Sequence, residues 1–121
     1  MLDRWSGQAP AALPVACEPR HASWLSPEAD ALLDGFRIAR AAADPAKLPA
    51  AAEPGGWAGL SYFRLHGSPR MYFSAYGPDA VRRLARRLRS VRSDDAWCIF
   101  DNTASGAAAA DALELAAQLA L

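Results

Sequence analysis

Three short groups of residues carry the side chains that could do chemistry. Glu18-Pro19-Arg20-His21-Ala22-Ser23-Trp24 places a carboxylate, a guanidinium, an imidazole, a hydroxyl and an indole in one turn. Arg64-Leu65-His66-Gly67 forms the second group and Asp101-Asn102 the third. Glu18 and Asp101 could act as a general acid/base pair. They could equally form ion pairs with Arg20 and Arg64, because a carboxylate is costly to bury alone. His21 and His66 are the only histidines. An imidazole can move a proton near neutral pH, ligate a metal, or simply fix a loop. Two histidines and two acids would suffice for a divalent metal. No short ligand spacing such as His-Glu-x-x-His is present, so no residue is assigned as a metal ligand and a metal stays the minority reading.

Around these candidate acid/base groups lie residues suited to binding. Arg20 and Arg64 offer planar forks that match a phosphate or carboxylate. Gly67 permits close approach of the backbone. Ser105-Gly106 would open the last helix, offering free amides and the positive end of a dipole to an anion. Trp24, Tyr72 and Tyr76 could stack on a sugar or base, or serve only to pack loops. Asn102 stands beside Asp101 at the same strand exit. The reading is therefore a catalytic set of Glu18, His21, His66 and Asp101. The binding set is Arg20, Trp24, Arg64, Gly67, Tyr72, Tyr76, Asn102, Ser105 and Gly106.

Elements must bring these groups together, and the pattern predicts four short strands, near 13–18, 36–41, 59–65 and 96–101. Each is apolar on both faces, as in a parallel sheet covered by helices. Ser26, Pro27 and Glu28 mark a helix start that Gly35 ends, with Ala29, Leu32 and Leu33 as the apolar stripe. Residues 44–57 hold three prolines and two glycines and read as a long irregular loop. Over 78–92, Val81, Leu84, Ala85, Leu88 and Val91 recur at helical spacing among six arginines. In the last helix, capped by Ser105, the expected polar face is Asp111, Glu114 and Gln118. The expected apolar face is Leu113, Ala116, Leu119 and Ala120. Residues 1–9 resemble the tail of a helix.

Composition sets bounds. At 121 residues the chain is one domain or part of one. Thirteen basic residues balance thirteen acidic ones, so no bulk field draws it to nucleic acid, and the arginines of 78–92 read as a solvated face. The apolar share of 52% rules out a disordered chain. Cys17 and Cys98 fall in predicted strands far apart, reading as buried, reduced thiols. No signal peptide or membrane span is expected, which points to the cytoplasm.

The run Glu18–Trp24, then Tyr62-Phe63-Arg64-Leu65-His66-Gly67, Tyr76, Phe100-Asp101-Asn102, Gly106-Ala107-Ala108 and Asp111-Ala112 resembles the C-terminal half of the YecE-like family, domain of unknown function 72. The resemblance covers nearly the whole chain. It departs at Asp101, where the family pattern Phe-Asn-Asn reads Phe-Asp-Asn. It implies an α/β fold, a partial TIM-type (β/α) barrel with outer helices, its site at the C-terminal ends of the strands. It implies no activity. A full barrel takes eight strands and roughly 250 residues; residues 1–121 would be a single fragment matching the C-terminal half.

Half a barrel leaves open edges, so the chain is expected to pair with a second copy or with a separately encoded N-terminal half. The functional expectation is a pocket for a small anionic ligand. It could serve a hydrolase acting on a phosphorylated or nucleic-acid-derived substrate, since no cofactor motif is evident: there is no glycine-rich dinucleotide loop and no nucleophile elbow. The alternatives are a non-catalytic binding module and an inactive truncated product.

Overall fold

The computed structural model describes residues 13–121, so the expected helix tail over 1–9 lies outside the described residues. Chain order begins with β1 (Val15–Cys17), a 3-10 turn (Ala22–Leu25), α1 (Pro27–Gly35), β2 (Ile38–Arg40) and β3 (Ala42–Asp44). A second 3-10 turn (Pro49–Ala52), β4 (Gly55–Gly56) and β5 (Leu60–Leu65) follow, then α2 (Gly77–Ser90), β6 (Asp95–Phe100) and α3 (Ala107–Leu119). The architecture is mixed α/β with parallel pairing of β1 with β2, β3 with β5, and β5 with β6.

Segment 38–44 is the seam of the molecule. β2 pairs with β1 on one side, Cys17 level with Arg40, while β4 runs antiparallel along its other side. β3 then pairs with β5, Ala42 level with Phe63. Only Ala41 separates β2 from β3, and its amide still donates to the Cys17 carbonyl at 2.7 Å. Ile38, Ala39, Ala41 and Ala42 are all buried, as expected of a central parallel strand. The expected strand over 36–41 therefore begins two residues later and runs to Asp44. Phe36 instead closes α1, and Arg37 takes the left-handed turn at φ 56° that more often falls to glycine. Gly35 sits two places too early to serve, as the last residue of the helix itself.

The helix starts follow local chemistry. Ser26 caps α1 by accepting from the Ala29 amide at 3.1 Å, with Pro27 at the first helical position. Leu33 is buried but Leu32 is 52% exposed, so the α1 stripe is narrower than expected. Val81, Leu84 and Ala85 of α2 pack on Ala42, Phe63 and Leu65, with Leu115 of α3 completing the core. Full burial of each large side chain there contributes about 1.5–3 kcal/mol.

Two expectations about α3 are corrected. Ser105 does not cap it: its hydroxyl donates to the Phe73 carbonyl at 2.8 Å, and Gly106 at φ 80° is the cap residue. The buried face is Asp111 and Leu115, while Leu113 and Leu119 of the expected apolar face are exposed. Alanine on every side of this helix gives its leucines no contrast, and hydrogen bonds to Asp111 decide which side turns inward. Residues 44–57 also contain more order than expected, namely the 3-10 turn, β4 and the last residue of β3.

Candidate functional site

Parity along the strands selects the site residues. On β5, Phe63 and Leu65 point into the helix-covered core, which leaves Tyr62, Arg64 and the following His66 on the opposite face. On β6, Cys98 and Phe100 pack against the same core, which sets Trp97, Ile99 and Asp101 on the other side. Glu18 follows β1 directly. Residues from three strand exits, one in the β1-β2-β4 sheet and two in the β3-β5-β6 sheet, thus meet.

The centre is His66, whose side chain is only 3% exposed. Its Nδ1 lies 2.8 Å from both Asp101 carboxylate oxygens, and its Nε2 lies 3.2 Å from Glu18 Oε2. Ionised carboxylates only accept hydrogen bonds, and a neutral imidazole donates from one nitrogen. The trio therefore holds one further, shareable proton whenever both contacts are hydrogen bonds. Arg64 Nη2 donates to Asp101 Oδ2 at 2.6 Å, and Arg20 Nη2 meets Glu18 Oε2 at 3.1 Å. The hydrogen bond to Asp101, outweighing the cost of burial, holds the Arg64 guanidinium more firmly protonated than usual. Tyr72 packs edge-on against the His66 ring, centroids 5.9 Å apart.

A cavity of about 260 Å³ opens onto two of this trio, Glu18 and His66. Glu18 and His66 line it together with Arg20, His21 and Lys47, while Leu25, Leu48, Met71, two prolines and several alanines supply apolar wall. Glu18 also lines a second cavity of about 280 Å³ with Arg64 and Tyr62, so its carboxylate stands between the two. Neither Trp24 nor Tyr76 lines the first cavity. His21 Nδ1 engages its own turn at Ser23, 2.9 Å away.

Of the residues read from sequence, the structure brings together Glu18, Arg20, His21, Arg64, His66, Asp101 and Tyr72. Others serve the scaffold beside them. The Tyr76 hydroxyl donates to Asp44 Oδ2 at 2.8 Å and accepts from the Gly67 amide at 2.9 Å. Burial, with the bond to Asp44, pushes that phenol well above its ordinary value. At φ 105°, Gly67 meets its neighbours so closely that a Cβ there would lie 3.1 Å from the Arg70 carbonyl oxygen. The close approach at Gly67 is thus made by the chain's own loop. Fully buried Asn102 donates to the Ser74 carbonyl and to Asp111 Oδ2. The Gly106 amide is already engaged by the Thr103 carbonyl, and Trp24 lies in the exposed 3-10 turn after β1.

Sequence reading missed Lys47 and Asp44. Both lay in a stretch whose prolines read as featureless loop, and neither has a periodic neighbour to place it. Among the described residues, no three His, Cys, Asp or Glu side chains are arranged to hold a metal ion. The two nitrogens of His66 are directed at different carboxylates, so Glu18, His66 and Asp101 share no common coordination point. Cys17 and Cys98 are free thiols; burial pushes Cys98 up to about 12 and raises Cys17, partly opposed there by Arg40.

Parallel strands, helices covering one face and a charged trio at the strand ends define an α/β protein with a strand-end site. The whole of residues 1–121 matches the family described as protein of unknown function DUF72, and the chain belongs to that family. A DUF72 family protein from Thermotoga maritima has 25% identity and a TM-score of 0.75, over 99% of this chain and 50% of its own. One from Enterococcus faecalis has 21% identity and a TM-score of 0.73, over 91% of this chain and 48% of its own. The chain thus spans about half the length of these solved structures. No curated protein matches it.

Proposed function

We propose that the cavity binds a small anionic ligand and that Glu18, His66 and Asp101 carry out acid/base hydrolysis on it, with a phosphate ester as the substrate class. The carrying observation is His66, buried between carboxylates from two other strand exits, one of which opens onto a cavity with it. Arg20, His21 and Lys47 supply positive or proton-donating groups at that cavity, and its apolar wall suits an organic substituent. Glu18 is the carboxylate exposed to the ligand, with His66 relaying its proton to Asp101. Arg64 steadies Asp101 and does not itself grip the anion. The parallel strands are then part of a (β/α) barrel whose mouth is this site, and the free cysteines fit the reducing cytoplasm.

One observation favours a second reading, a binding module without turnover: both carboxylates already have cationic partners, Arg20 for Glu18 and Arg64 for Asp101. The test is hydrolysis of p-nitrophenyl phosphate and bis(p-nitrophenyl) phosphate by the purified chain, with phenyl phosphate binding measured in parallel. Turnover abolished by Glu18→Gln and His66→Asn is the expected result. Binding without turnover selects the second reading, and neither binding nor turnover ends both.

A further inference from the structure

The wall of the first cavity formed by Pro45, Ala46, Lys47, Leu48 and Ala51 belongs to no helix of the sheet-covering layer. It is held from behind by two arginines. Arg40, on the central segment and 5% exposed, donates from Nη1 to the carbonyls of Ala50 at 3.1 Å and Glu53 at 3.3 Å. Its Nε donates to Asp30 Oδ1 at 3.1 Å. Arg87, reaching from α2, donates from Nη2 to the Ala52 carbonyl at 2.6 Å and pairs with Glu53 at 3.3 Å. Three carbonyls of one turn, Ala50, Ala52 and Glu53, are therefore tied by two guanidinium groups.

Gly55 makes room for this arrangement. A Cβ there would lie 2.2 Å from Arg40 Nη2, with Cζ and Nε within 2.7 Å. A buried ion pair adds little net stability compared with an apolar residue of similar volume. What a guanidinium supplies instead is a rigid plane of donors that fixes several acceptors at once. The acceptors here set the path of the segment that presents Lys47, the only lysine in the chain.

We infer that Arg40 is a positioning residue for ligand binding: with Arg87 it clasps residues 45–53 into the wall that sets Lys47 at the cavity, where the lysine grips the ligand's anionic group. This rests on the pocket reading above and adds to it the residue that selects the anion and the device that places it.

Because there is one lysine, a lysine-specific endoprotease can cut only between Lys47 and Leu48, so its rate under native conditions reports opening at this wall, with global unfolding controlled separately. Losing charged hydrogen bonds to carbonyls should speed that cut about tenfold in Arg40→Lys and about threefold in the more exposed Arg87→Met. Leu84→Ala, which weakens the distant core, should lower the thermal midpoint yet leave native-state cutting within about twofold. Phenyl phosphate affinity should fall about tenfold in Lys47→Met and in Arg40→Lys, as for loss of one charged contact. Unchanged cutting in both arginine variants overturns the clasp, as does faster cutting with phenyl phosphate affinity intact. Should Arg40→Lys fail to fold, Arg87→Met decides by the same two readings. A wild-type chain that does not bind phenyl phosphate overturns the pocket reading instead, and the cutting rates still judge the clasp.

Discussion

The two faces of β5 divide the labour of the molecule. Phe63 and Leu65, at 1% and 4% exposure, lie under α2 and α3 among Val81, Leu84, Ala85 and Leu115. Arg64 and His66, their immediate neighbours in sequence, face the other way and meet Asp101 and Glu18. One face gains its stability from area removed from water, where a polar group is costly unless it is hydrogen-bonded, as Ser61 is to Ser93. The other gathers charges that satisfy one another and leaves them next to a cavity. The strand's two-residue period thus separates folding from chemistry within six residues, Leu60–Leu65, and the residue that follows them.

That division is open to breakage from either side. The largest effect should come from Phe63→Ala, which empties a fully packed core position: about 3–5 kcal/mol lost in urea unfolding, with phenyl phosphate affinity of the folded fraction unchanged. A matching loss of affinity would show that the two faces are not separable. Asp101→Ala removes the acceptor of both His66 Nδ1 and Arg64 Nη2. It should cost about 1–3 kcal/mol and abolish any turnover.

A pH series probes the core face. Burial raises the Cys98 thiol from 9.0 to about 12, so the folded chain holds that proton more tightly than the unfolded one. The resulting stability is fully present below pH 9 and is lost as pH climbs toward 12, and Cys98→Ala should make the alkaline decline shallower. It should not flatten it, since Cys17 and Tyr76 are raised too and carry the same sign. The smallest effect belongs to Arg20→Ala. With its side chain 73% exposed, its pair with Glu18 should contribute less than about 1 kcal/mol to stability, while phenyl phosphate binding weakens.

Legibility from the sequence followed the strength of local signals. Ser26-Pro27-Glu28 marked the start of α1 because capping is a local hydrogen bond, and the bond to the Ala29 amide is there. The stripe of α2 was equally plain, since apolar residues alternate with arginines and leave one choice of face. The three polar groups at strand exits were readable as convergent because parallel strands end on the same side. The partnering was legible only in part: Arg20 and Arg64 were the expected ion-pair partners of the two acids, and they are. Nothing in sequence says that Asp101 takes both Arg64 and His66, or that Tyr76 latches Asp44 to Gly67, because all of these contacts but the short Gly67–Tyr76 link span more than thirty positions. Asp111 misled for a different reason. An acid at helical spacing with Glu114 and Gln118 looks solvated, yet it is buried as acceptor for the Asn102 side chain and the Tyr76 amide. Asn102 and Tyr76 thereby act through α3 and the loop before α2, and their proximity to the site residues in sequence concealed that role.

The change of partner at Ala41 has a consequence for length rather than for residue type. β1 is registered on Ile38–Arg40 and β5 on Ala42–Asp44, so everything between Glu18 and His66 is indexed through that one residue. An inserted residue at this point would advance β3 by about 3.3 Å and turn Asp44 to the opposite side of the sheet, away from Tyr76. Two inserted residues would restore the facing but carry the strand end about 7 Å onward. The chain can therefore absorb extra residues in the turn between α2 and β6 far more readily than here, where even and odd changes in length give different molecules.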